Sequence, residues 1–100
     1  MRTKAELERA MEGHLVEAAV DDGCLCYKSE KMGLVHHPDR LVLTPQRTFY
    51  WMEFKLKYND LSPGQGIIVK VLKEKGHSVY VVKDLETALF YHEFEMNRNG

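Results

Sequence analysis

The sequence predicts an α/β domain with its elements in the order αβββαβα. Three observations predict it. Two stretches open on a capping box, Thr3 with Glu6 and Ser62 with Gln65, and continue with apolar residues at helical spacing. Four short apolar runs, over 24–28, 40–44, 48–55 and 79–82, have the length and composition of strands. A last helical pattern follows Asp84. With 100 residues and 44% apolar composition, the chain is expected to form one domain, 1–100, with an ordinary core.

The first helix runs from its Thr3 cap through Leu7, Met11, Leu15, Ala18 and Ala19, and stops at Asp21-Asp22-Gly23, where glycine suits a left-handed cap. Cys24 to Lys28 reads as a strand. Ser29 to His37 is polar and irregular and reads as a loop. Arg40 to Thr44 and Thr48 to Lys55 form two further strands joined by Pro45-Gln46-Arg47, and Lys57 to Leu61 reads as a turn. In the second helix Ser62 is the cap, Pro63 the first helical residue and Gln65 the third, with Gly76 as the stop. Val79 to Val82 is the fourth strand. Leu85, Ala88, Leu89, Tyr91 and Phe94 make the third helix, and the tail Asn97 to Gly100 is expected to fray.

Composition narrows the function classes. No run of eighteen apolar residues occurs, so no membrane span is expected, and Met-Arg-Thr-Lys-Ala-Glu at the start has no apolar signal segment. Cys24 and Cys26 point to one face of a strand and are badly placed to bridge each other, which suits a reducing, cytoplasmic setting. Fourteen basic against fifteen acidic residues give a net charge of −1, awkward for a nucleic-acid binder. The basic residues are uneven, however: Lys28, Lys31, Arg40, Arg47, Lys55 and Lys57 share the middle of the chain, while acidic residues crowd the first helix.

The informative segment is Gly33 to Lys55, where Asp39, Glu53 and Lys55 place charge inside strand-like sequence. An isolated buried ion costs several kcal/mol on the order-of-magnitude scale, so such groups need a partner or a metal. A three-residue loop at 45–47 makes paired positions sum to 92, which sets Asp39 opposite Glu53 with Lys55 on the Glu53 face. Two facing carboxylates repel unless a cation or a proton joins them. Mg²⁺ or Mn²⁺ held by Asp39, Glu53 and the Phe54 carbonyl would supply that charge, and Lys55 would orient water or stabilise charge at phosphorus. Glu12, one turn after Glu8 on the first helix, is a further candidate on the metal side.

Taken singly, these residues have plainer readings. Asp39 after Pro38 is a common turn residue, and Glu53 with Lys55 fits the solvated face of an edge strand. Gln65 is explained by its capping box and Glu12 by a solvated helix face. Cys24-Leu25-Cys26 with His36-His37 has no standard zinc spacing, though either histidine could touch phosphate. Phe49, Tyr50 and Trp51 read as sheet packing.

Together, Gly33, Pro38-Asp39-Arg40, Glu53-Phe54-Lys55, Ser62-Pro63, Gln65 and the strand Gly76-His77-Ser78-Val79-Tyr80-Val81-Val82 resemble the virus-type replication-repair nuclease domain, VRR-NUC, of the PD-(D/E)-x-K nuclease superfamily. The resemblance covers about Glu8 to Leu89. It implies a mixed sheet flanked by helices around a restriction-endonuclease-like core. It implies a metal-dependent, structure-specific DNA endonuclease like stand-alone phage and bacterial nucleases of this size, some of which are homodimers that cut Holliday junctions. It maps metal ligands onto Asp39 and Glu53, the catalytic lysine onto Lys55, the first-helix glutamate onto Glu12 with Glu8 as rival, and the family's glutamine onto Gln65. Lys28, Arg40, Lys57 and Gln65 are the expected DNA contacts. The chain departs from the family where His36-His37 follow Gly33-Leu34-Val35, before Pro-Asp. The alternative is a module of the same fold that binds DNA or protein without cutting.

Overall fold

A computed structural model describes residues 1–98. The expected order is observed: α1 (Lys4–Asp21), β1 (Leu25–Lys28), β2 (Arg40–Leu43), β3 (Phe49–Phe54), α2 (Pro63–Glu74), β4 (Val79–Val82) and α3 (Leu85–Met96). Two short 3₁₀ turns, Ser29–Met32 and Tyr58–Asp60, lie in the segments read as loop and turn. The first closes on Gly33 at φ 75°, a left-handed conformation that glycine adopts without steric penalty.

The sheet order is β1-β2-β3-β4, with the first two pairings antiparallel and β3-β4 parallel. Pairing of β3 with a parallel neighbour requires a crossover, and α2 provides it. The β2–β3 ladder pairs Arg40 with Met52 and Leu43 with Phe49, so positions do sum to 92. Thr44 and Thr48 close the hairpin: the Thr44 N–H donates to the Thr48 carbonyl at 2.9 Å and the two hydroxyls meet at 2.6 Å. Arg47 sits at φ 68°, the left-handed residue that lets a three-residue loop reverse the chain.

Helix α1 buries Met11, Leu15 and Ala19 at four-residue spacing, and α3 buries Ala88 on the same side of the sheet. These meet Val42, Tyr50, Met52, Phe54 and Val82 in the main core. Helix α2 lies on the other face, where Val69 packs with Trp51 and Val79. From Tyr50 onward every residue of β3 is buried, because the strand is central and covered on both faces. Glu53 therefore does not lie on an edge strand. It is a charged residue inside the most enclosed strand of the sheet.

A polar network ties the helices to β3. The buried His92 shares a 2.6 Å hydrogen bond with the Tyr50 hydroxyl through Nδ1 and lies 2.7 Å from Asp22 Oδ2 through Nε2. With Nε2–H donating to Asp22, Nδ1 is left to accept from Tyr50, so one tautomer satisfies both contacts. The tail does not fray as far as its composition suggested. Asn97 caps α3, and the Arg98 guanidinium reaches Glu95 at 3.1 Å and Ser78 at 2.7 Å. Asn99 and Gly100, the rest of that expected fraying, lie outside the described residues.

His92→Ala leaves the Tyr50 hydroxyl buried without a partner, and is expected to lower unfolding free energy by at least about 1–3 kcal/mol in urea titration. Adding Tyr50→Phe to that variant should recover part of the loss. A double variant no more stable than His92→Ala would rule out the unpaired hydroxyl as the cause.

Candidate active site at the mouth of the central hairpin

The site begins where the β2–β3 ladder ends. Thr44 and Thr48 are a hydrogen-bonded pair, so counting by twos along the ladder puts 42 with 50, 40 with 52 and 38 with 54 in the same class. Position 38 is proline, which has no N–H for the Phe54 carbonyl. The Phe54 N–H donates to a side chain, Asp39 Oδ2, at 3.0 Å. The Asp39 N–H in turn donates to Glu53 Oε1 at 3.0 Å. Each carboxylate is thus gripped by a backbone N–H next to the other. The ladder stops here, and two backbone N–H groups at its end orient both acids.

Two further groups converge on Glu53, which is 1% exposed. The Lys55 ammonium lies 3.7 Å from Oε2. Gln65 donates its Nε2 to Oε2 at 3.2 Å while its Oε1 accepts from the Ser62 N–H in the capping box. The plain and the functional readings of Gln65 hold at once, since one amide end caps α2 and the other pins Glu53. Period two explains the meeting: Glu53 shares its face with Trp51, and that face is the one α2 covers.

The acids of α1 flank this pair. Glu8 Oε2 accepts the Leu56 N–H at 2.9 Å, just past Lys55. Glu12 Oε2 takes Arg40 Nε at 2.6 Å. Arg40 was expected at DNA phosphate, and here its guanidinium is engaged by Glu12 and 19% exposed. Glu12 also lines, with Asp39, Lys28 and Gln65, an open cleft of about 630 Å³. Lys28 sits on that rim, 3.8 Å from Glu30. Lys57 is exposed two residues after Lys55 and does not line this cleft.

The His36-His37 insertion forms one wall of the same cleft. His37 is tied down, with Nδ1 3.0 Å from the Val35 carbonyl oxygen and its ring 5.5 Å from that of Trp51. His36 is held at φ 64°, and its ring lies against Gly64 so closely that a Cβ there would meet Cγ at 2.7 Å. Glycine in the first turn of α2 makes room for it. No reading of the sequence placed His36 against α2. The Gly64 beside Pro63, poor helix-forming chemistry at that point, was the available sign.

Among the described residues no three Asp, Glu, His or Cys side chains converge as a metal-binding group. The donors are a carboxylate pair and the Phe54 carbonyl that Pro38 leaves without a ladder donor. An oxygen-only set of this size suits a hard cation such as Mg²⁺ or Mn²⁺, which keeps waters and takes remaining ligands from a phosphate. The residues present therefore fit the expected metal.

Electrostatics point the same way. Burial, then the neighbouring Asp39 charge, raises Glu53 to about 7, against the pull of Lys55 and the two hydrogen bonds. Burial raises Asp39 as well. A carboxyl raised on folding binds protons more tightly folded than unfolded, so stability is greatest below the ordinary value near 4.5 and is lost as pH climbs through about 7. The melting temperature of metal-free protein should therefore fall between about pH 5 and about pH 8. The slope should flatten in Glu53→Gln, and Mn²⁺ should restore stability at the higher pH. An identical slope in that variant would count against the buried carboxyl as its source.

No protein-family model matches the chain, and no curated protein matches it. A solved structure described as a VRR_NUC domain does, with a TM-score of 0.75 and 24% identity, over 86% of this chain and 94% of that one. The chain therefore has the fold of a VRR_NUC domain.

Proposed function

We propose that this chain is a Mg²⁺- or Mn²⁺-dependent DNA endonuclease of the VRR-NUC type that hydrolyses phosphodiester bonds in branched DNA such as Holliday junctions. The observation that carries the reading is the pairing of buried Glu53 with half-buried Asp39, two acids with a single ammonium beside them, at 3.7 Å from Glu53. A purely structural acid pair would gain nothing from that arrangement. The fold likeness supports the same reading.

The residues divide the work by chemistry. Asp39, Glu53 and the Phe54 carbonyl would hold the cation, with Glu12 or Glu8 able to orient waters from the α1 side. When bound, the cation would polarise the phosphodiester and acidify the attacking water. Gln65 fixes the Glu53 carboxylate in one rotamer through Oε2. Lys55 presents its ammonium beside Glu53, where it can orient the nucleophilic water and offset negative charge growing at phosphorus. Water oxygen would bond to phosphorus in line with the departing ester oxygen, the water giving up a proton to solvent as the P–O ester bond breaks and the leaving oxygen takes a proton from solvent. Lys28 on the cleft rim and the exposed Lys57 would meet backbone phosphates.

We further propose a homodimer. A four-way junction presents two scissile strands, and a C2 pair would offer two sites and twice the basic surface of a chain with net charge −1. The compartment we propose is the cytoplasm of a bacterial cell or a phage-infected host. Both cysteines are free thiols, Cys24 pushed up to about 11 by burial, and no described helix is long and apolar enough to cross a membrane.

Labelled linear, flap and four-way-junction DNA with Mg²⁺ or Mn²⁺ tests the activity. Wild type should cut, Glu53→Ala should not, and Lys55→Ala should lose about 10²–10³-fold in rate while still binding Mn²⁺ by calorimetry. Asp39→Asn should lose the Mn²⁺ heat. Binding without cleavage under either metal would favour the non-cleaving module. Sedimentation equilibrium at micromolar protein should give twice the chain mass, and a monomer with full junction cleavage would remove the dimer.

A further inference from the structure

A second cleft, of about 260 Å³, is lined in part by Lys55. Its walls come from three separate elements: Tyr58 of the β3–α2 connection, Val82 at the end of β4, and Thr87 with Tyr91 on the first turns of α3. Lys55 and Lys83 stand among these lining residues. Tyr58 is 59% exposed, a large aromatic surface with nothing packed over it. Tyr91 is fixed from behind by stacking on Tyr80, ring centres 4.2 Å apart. Lys83 is exposed and makes no ion pair among the described residues.

We infer that this cleft binds one unpaired nucleobase of the DNA strand next to the scissile phosphate. The inference rests on the nuclease reading and names the feature of branched DNA that the site would select. Shape and chemistry both favour a base. The walls are largely aromatic and aliphatic, with tyrosine and threonine hydroxyls available to a base edge. Flat aromatic surface stacks any base, and the two lysines match the phosphates on either side of it. Lys55 links this cleft to the acid pair, since it lines the cleft and its ammonium lies 3.7 Å from Glu53. A nucleotide seated here would therefore neighbour the one being cut. A continuous duplex cannot deliver a base to this position without breaking a pair, whereas a strand at a flap or branch point already has one free.

The test uses the full chain and 2-aminopurine placed one or two nucleotides from the cut in flap DNA, without metal. Wild type should change the probe's fluorescence on binding, as the base unstacks from DNA and stacks on Tyr58. Tyr58→Ala, and Thr87→Phe as a variant that fills the cleft without removing the aromatic, should each abolish that change. Each should weaken flap binding about tenfold while leaving binding to uninterrupted duplex unaltered. Wild type that cuts flap DNA with neither variant affected would overturn the base cleft and leave the nuclease reading standing. Wild type that neither binds nor cuts any DNA would overturn both. Equal losses on flap and duplex would also overturn the inference, because they would make the cleft a general phosphate contact.

Discussion

The structure turns on a reciprocal clasp. The N–H of Phe54 holds Asp39, and the N–H of Asp39 holds Glu53, both at 3.0 Å. The clasp lies where the β2–β3 ladder stops short of Pro38, and each carboxylate there takes one backbone N–H. Backbone donors do not swing as side chains do, so the two carboxylates are fixed to the rigid sheet rather than to loops. Close placement of like charges is otherwise unfavourable, and here it is imposed by the most enclosed strand of the domain.

A comparison inside the molecule sharpens the point. Glu95 is as buried as Glu53, at 0% against 1% exposed. Yet Glu95 accepts from the Tyr80 hydroxyl at 2.5 Å, and both its oxygens lie 3.1 Å from one Arg98 nitrogen. That is a compensated charge, whose role is to fasten α3 and the end of the chain to β4. Glu53 has no guanidinium. It has a lysine at 3.7 Å, an amide, and a second acid across the hairpin. One buried carboxylate is balanced by an arginine, and the other faces a second acid with a lysine and an amide as its side-chain partners.

Helix α2 couples the fold to the site. It is the crossover that makes β3 and β4 parallel, and its first turn does three things at once. Ser62 caps it, Gly64 leaves room for the His36 ring, and Gln65 both completes the cap and pins Glu53. The wall of the cleft, the start of the helix and the orientation of a carboxylate are therefore one packing problem. A change at Gly64 would move all three.

The element order and the hairpin register could be read from the chain, because they depend on local chemistry: capping boxes, period-two apolar runs, and a three-residue loop that fixes which positions face each other. That register alone set Asp39 opposite Glu53 and put Lys55 nearby. What the sequence could not decide was which partner each long side chain takes across the fold. Glu12 pairs with Arg40 and Glu8 with a backbone N–H beyond Lys55, although both glutamates follow the same helical spacing. Arg98 closes on Glu95 although it looked like part of a loose tail. The Glu12 and Glu8 contacts join residues 28 and 48 apart in the chain, and their energies depend on burial and distance, which arise only once the helices have packed on the sheet.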